Sequence, residues 1–230
     1  TFSLRKMTTE AYIRDPRFEV IGVGVKLNNE ETEWASGTHG EIKDYLEDFD
    51  WDKSFLLAHN TMFDGSILSW IFGINPRVYA DTMCMGRAVH GVETSVSLAS
   101  LAKLYGLGAK GGEIQNTVGK GRNDFTDAEL DKFGDYCIND VELTYGLFKR
   151  MAPKFPKKEM HVIDKTLRMF TQPMIDLDLA KLEKHLDATR HKKEQMLKFS
   201  GLSREELMSN PKFAKTVSYT HLTLPTTVSV

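Results

Sequence analysis

The sequence predicts an α/β fold, a mixed sheet flanked by helices and followed by a helical extension. Three observations carry this. Residues 18–35 hold two β-branched runs around the turn Asn28-Asn29, the pattern of a hairpin. Phe55-Leu56-Leu57-Ala58 is a short continuous apolar run, typical of a strand buried on both faces. Helical periodicities alternate with these runs, and the capping boxes Thr38…Glu41 and Thr126…Glu129 open two of the helices.

The elements follow in order. FEVIGVGVK (18–26) reads as a strand and Glu31 to Ala35 as its return. Gly22 and Gly24 do not make a phosphate loop, because no GxGxxG follows and no helix opens there. Behind Thr38, the residues Ile42, Tyr45, Leu46 and Phe49 recur at helical spacing. The strand 55–58 passes through HNTMFD into a helix carrying Ile67, Leu68 and Ile71, with Gly73 as its stop. Val78-Tyr79-Ala80 is a further strand ending at Asp81-Thr82, and Leu98, Leu101, Leu104 and Tyr105 mark a helix closed by Gly106. Residues 106–122 form a glycine-rich loop with Lys110, Lys120 and Arg122. It reads as a flexible surface loop or as a contact to a DNA backbone. A long helix runs from Thr126 to about Met151, where Pro153 and Pro156 break it. Residues 157–216 read as helix, an extended PMIDLD segment (173–178), helix, and a short helical piece capped by Ser203…Glu206. The expected domains are 1–152, a helical connection at 153–216, and a tail at 217–230. The tail VSYTHLTLPTTVSV has no charged residue and resembles the translation of a sequencing adapter, so it is set apart as non-native.

Composition bounds the class. The 230 residues are 41% hydrophobic and 27% charged, as in an ordinary globular protein. No apolar run approaches a membrane span, and no signal-peptide pattern opens the chain. Cys84 and Cys137 belong to no metal or redox motif and read as free thiols of a reducing cytoplasm. Residues 1–150 carry an acidic excess and 151–216 a basic one. That would suit a domain that holds cations and meets a polyanion, and a solvated charged face accounts for it as well.

One stretch, AHNTMFDGSIL (58–68), carries Asp64 into what reads as the edge of the core. A buried carboxylate needs a counter-ion, a capping role or a metal. On the long helix, Tyr136 and Asp140 are four residues apart and share one face.

Asn60-x-x-Phe63-Asp64 followed by Tyr136-x-x-x-Asp140 resembles the second and third motifs of the DnaQ-like, DEDDy-type 3′–5′ exonucleases, which have a ribonuclease H-like fold. Asp81-Thr82, the 98–104 helix, Gly106-Leu107 and Lys110 stand where such domains carry similar residues. Residues 1–216 look like the proofreading domain of a phage-type family A DNA polymerase, with TLRMFTQPMIDLD (166–178) and LMSNPKFAK (207–215) leading toward a polymerase domain in cis.

The resemblance implies two Mg²⁺ ions, with Mn²⁺ as an alternative, a single-stranded DNA 3′ end as substrate, a monomer, no membrane, and the cytoplasm, that of the host if the source is a phage. It makes Asp64 a metal-site ligand, partly through water, and Asp140 a direct ligand of the ion that activates the water. Tyr136 would orient or help deprotonate that water, while Asn60 and Phe63 would position the terminal nucleotide or brace the turn. Phe63 and Tyr136 could also stack bases, and His59 reads as structural.

The family's first motif, Asp-x-Glu on the opening strand, has no counterpart. Asp127-Ala128-Glu129 has the spacing but lies in a helix's first turn. The expectation is a fragment cut at both ends, with the first strand and first motif lost before Thr1, inactive alone and poorly stable. The alternatives are a non-catalytic module that keeps the fold for structure or DNA binding, and an RNA-trimming exonuclease of the same superfamily.

Overall fold

The computed structural model describes residues 2–111 and 120–221, and the chain falls into two compact units, Thr1–Met174 and Ile175–Val230. In the first unit the order is α1 (Thr9–Ile13), β1 (Gly22–Lys26), β2 (Thr32–Ser36), α2 (His39–Glu47), β3 (Phe55–Ala58), α3 (Thr61–Ile71), β4 (Val78–Asp81), α4 (Thr82–His90), α5 (Leu98–Leu104), α6 (Asp127–Met151) and α7 (Lys157–Thr171). Both capping boxes form as read: Thr38 and Glu41 bond reciprocally, and so do Thr126 and Glu129. α1 and α4 were not legible in the sequence.

The mixed sheet takes the form of two strand pairs. β1 and β2 are antiparallel, Gly22 facing Ser36 and Lys26 facing Thr32. β3 and β4 are parallel, Phe55 beside Val78 and Ala58 beside Asp81. Among the described residues no strand joins the pairs, so β1 and β3 each keep one unpaired edge. Every residue of β1 is half-buried, whereas Tyr79, Ala80 and Asp81 of β4 are fully buried.

α6 packs across β1, β2 and β3. Its close approach to the hairpin depends on Gly134, where a Cβ would lie 2.6 Å from a ring carbon of Trp34. Val23, Val25 and Leu56 share one core with Ile42, Leu46 and Leu68 of the helices α2 and α3. A second core joins α4, α5 and α6 through Met85, Leu101 and Leu147.

α7 belongs to this first unit and covers β4 and α3. Asp164 explains why. Its Oδ1 accepts from the Tyr79 backbone N–H at 2.9 Å and from Arg168 Nε at 3.1 Å. Arg168 also donates to the Pro76 carbonyl at 3.1 Å and to the Arg77 carbonyl. The Thr171 carbonyl accepts from Ser69 Oγ at 2.9 Å and Trp70 Nε1 at 2.8 Å.

The second unit comprises α8 (Leu179–Ser200), α9 (Arg204–Met208) and α10 (Asn210–His221). Asp178 caps α8, which Gly201 ends at φ 66°. Ser203 and Glu206 form the expected box at α9. α10 runs into the stretch set apart as adapter-derived, and residues 222–230 lie outside the described residues, as do 112–119 of the glycine-rich loop. Among the described residues no helix is long and apolar enough to cross a membrane.

Replacing Asp164 by Ala should cost about 3 kcal/mol, because it strands a half-buried guanidinium and a buried N–H together. Asp164→Asn, which keeps an acceptor, should lose less. Urea unfolding of the three proteins measures this, and an unchanged midpoint for Asp164→Ala would contradict the packing described.

Candidate active site

The site is framed by the carboxylate of Asp81, which is almost wholly buried (1% exposed) at the end of β4. Its Oδ1 accepts from the backbone N–H groups of Met83 at 2.7 Å and Cys84 at 3.3 Å, capping α4. The same oxygen accepts from Asn60 N at 3.1 Å, and Oδ2 accepts from Thr61 N at 3.0 Å. One carboxylate thus faces the N-termini of two helices, α3 and α4, where the helix dipoles favour negative charge.

Asn60 sits at the N-cap of α3 with φ 73°, in the left-handed region that asparagine tolerates, and its side chain makes no capping bond. Thr61 Oγ1 donates to the Ala80 carbonyl at 2.5 Å, tying α3 a second time to β4.

His59 completes the frame. Nε2 donates to the Val96 carbonyl at 3.0 Å, so Nδ1 accepts from Thr82 Oγ1 at 2.8 Å. Burial lowers the imidazole pKa, opposed by the charge of Asp81, and both ring nitrogens are spent on protein partners.

Asp64 follows in the first turn of α3. The residue is exposed, yet burial within surrounding protein pushes its carboxyl up to about 6, with the charge of Asp81 adding to the rise. The carboxyl is crowded by protein atoms while the residue keeps contact with solvent. The exposure weighs more in energy, because solvent screens the charge.

On α6, Tyr136 and Asp140 share a face as their spacing requires. Lys110 lies against both: its Nζ is 3.1 Å from Asp140 Oδ2 and 5.2 Å from the centre of the Tyr136 ring. Burial disfavours the ammonium, and hydrogen bonds to Tyr136 and Asp140 outweigh it, raising its pKa. Asp140 Oδ1 is buried with no hydrogen-bond partner. On the same helix Cys137 has its thiol pushed up to about 11, by burial first and then by the charges of Asp140 and Asp64. Cys137 therefore senses both acids, which places Asp64 and Asp140 in one electrostatic neighbourhood.

Phe63 packs toward Tyr12 of α1, with ring centres 6.5 Å apart. Sequence reasoning missed the structural weight of Asp81, two of whose partners, Asn60 and Thr61, lie about twenty positions away along the chain. It also missed a second Asp-x-Glu, Asp140-Val141-Glu142. That match is no first motif, since Glu142 accepts from Lys26 at 2.7 Å and from Thr32 on β1 and β2.

Among the described residues no three His, Cys, Asp or Glu side chains converge as a metal cage. Asp64 and Asp140 offer hard oxygen donors, one of them an unpartnered buried oxygen. They suit a divalent ion of the Mg²⁺ type in kind and fall short of a full cage in number.

The pKa of Asp64 predicts a pH dependence. Its folded value, about 6, lies above the reference 3.8, so the fold favours the protonated acid. That contribution is fully present below about 3.8 and lost as pH rises through about 6. Asp64→Asn should therefore stabilise the metal-free protein by about 1 kcal/mol above neutral pH, an amount already discounted for solvent. The gain should vanish in acid. Thermal unfolding in chelator across pH tests this, and a gain that grows toward acid would contradict it.

The comparisons with known proteins agree with this geometry. A family model described as 3′–5′ exonuclease, of the family A DNA polymerase type, matches residues 23–156. That span runs from β1 past the end of α6 and holds Asp64, Tyr136 and Asp140. No curated protein and no solved structure matches the chain. The α/β architecture is the ribonuclease H-like one expected of such domains. The chain belongs to the 3′–5′ exonuclease family of the family A DNA polymerase type.

Proposed function

We propose that the chain is the proofreading part of a phage-type family A DNA polymerase, removing nucleotides from single-stranded DNA 3′ ends. The observation that carries this reading is the pairing of Tyr136 and Asp140 on one face of α6 with Asp64 in the same electrostatic neighbourhood. Two bound Mg²⁺ ions, or Mn²⁺, would supply charge neutralisation at the attacking and leaving oxygens. Asp140 would hold one of them through its unpartnered oxygen, and Asp64 would contribute its carboxylate directly or through water. The Tyr136 hydroxyl orients the attacking water. Asn60 and Phe63, at the mouth of α3, position the terminal nucleotide.

The carboxylates of the first motif come, in this reading, from a strand of the parent polymerase seated between β1 and β3. Three observations support that seat. Both strands keep an unpaired edge, both leave residues half-buried while Tyr79, Ala80 and Asp81 of β4 are buried, and α6 packs on both pairs. The polymerase domain follows in cis, the protein is a monomer, and it works in the cytoplasm, the host's if the source is a phage. As it stands the chain holds two carboxylates of four, so it resembles the non-catalytic module in behaviour while keeping the parent's site.

The test is hydrolysis of end-labelled single-stranded DNA with Mg²⁺. The chain alone should fall short of the same chain extended by a strand bearing Asp-x-Glu by about 10²–10³-fold. Asp140→Asn in the extended protein should lose activity to a similar degree. Full activity in the chain alone, or an active extended Asp140→Asn, would contradict the proposal. A preference for RNA ends would favour the RNA-trimming alternative.

A further inference from the structure

We infer that Lys110 is the resident cation of the metal seat at Asp140, an internal placeholder that a divalent ion must displace. This rests on the exonuclease reading above and adds a residue that the pairing of Tyr136 with Asp140 does not include. Lys110 reaches the site from the segment after α5, thirty positions before Asp140. Its ammonium stands 3.1 Å from Asp140 Oδ2 and over the Tyr136 ring at 5.2 Å. Neither partner is fully buried; the side chains of Lys110 and Asp140 are 30% and 25% exposed.

The pair is lopsided. One carboxylate oxygen has the lysine, and the other, Oδ1, is sealed from solvent with no donor at all. An acid kept for an ion pair alone would have its second oxygen in water or against an N–H. Oδ1 is therefore an oxygen held for a ligand that brings its own positive charge. Neighbouring groups do not compete for it. Asn139 Nδ2 turns away to the Ala109 carbonyl at 3.4 Å, His59 is saturated by Thr82 and Val96, and Glu142 is engaged by Lys26 on the other side of the helix.

An ammonium and a divalent ion cannot both sit against one carboxylate without strong repulsion. Binding of the ion drives the Lys110 ammonium off Oδ2. The chemistry it then meets is that of an anionic phosphodiester oxygen, the charge nearest a metal-held substrate. In the metal-free protein the same lysine keeps the Tyr136-Asp140 face assembled by neutralising it. The lysine thus holds the face in shape and weakens divalent binding there.

The experiment measures Mn²⁺ binding to the 230-residue chain by the loss of the free-ion electron paramagnetic resonance signal. Four proteins are compared: the parent, Lys110→Met, Asp140→Asn and the double variant, each checked for folding by circular dichroism. Lys110→Met should bind Mn²⁺ about three- to fivefold more tightly than the parent, the range a half-exposed ion pair allows. The double variant should lose that gain. In a metal-free arm, Lys110 acetylation by a water-soluble reagent, read by mass spectrometry, should rise by a similar factor in Asp140→Asn.

Asp140-dependent Mn²⁺ binding that Lys110→Met leaves unchanged or weakens overturns the placeholder role and leaves the exonuclease reading standing. Binding that ignores Asp140 in every variant overturns the placeholder role, and the hydrolysis assay on the extended chain decides the exonuclease reading separately. Lys110 acetylation unmoved by Asp140→Asn also overturns the inference, whatever the metal does.

Discussion

The buried carboxylate of Asp81 is the interaction on which the rest of the site depends. A carboxylate out of water is costly unless its lone pairs are met, and here backbone N–H groups from two helix starts meet them. The consequence is geometric. β4 cannot move without carrying the first turns of α3 and α4 along with it. The first turn of α3 is where Asp64 stands, so the buried Asp81 carboxylate sets the position of Asp64. Its negative charge also raises the pKa of Asp64, so the frame favours a protonated Asp64 until a cation arrives.

The two site acids are placed by different means. Asp64 is held by a short helix fastened at its N-terminus, whereas Asp140 is carried by the longest helix of the unit, packed on both strand pairs. Gly134 lets that helix approach Trp34 of the hairpin, only two residues before Tyr136. Packing of the hairpin thus bears directly on where the Tyr136 hydroxyl stands. Asp64 itself stays exposed, and β1 and β3 each keep an unpaired edge. Metal-bearing carboxylates need such access, and a closed core would forbid it.

Much of this was legible in the sequence because it is local. The three capping boxes need only four residues each and formed as read. The run Phe55–Ala58 became β3 with the same bounds. The strand expected from Phe18 begins only at Gly22, where pairing with Ser36 starts. α4 escaped because its cap is an aspartate at a strand end, and the sequence of that cap looks like the strand's own terminus. Asp81 and Lys110 were placed by the resemblance, but their bonds to Asn60, Thr61 and Asp140, like that of His59 to Val96, were out of reach because each spans twenty to forty positions. Asp64 was read as an acid at the core's edge needing compensation. The structure places it in the first turn of α3, solvent-exposed yet with its carboxyl pKa raised by the protein around it.

The central claim is that Asp64 and Asp140 face one cation site. A crystal structure of the chain grown with Mn²⁺, read for anomalous scattering, tests it most directly. The expected peak is coordinated by Asp140 Oδ1, with Asp64 bound to it directly or through water. A peak on other carboxylates, with Asp140 Oδ1 still unpartnered, would contradict it.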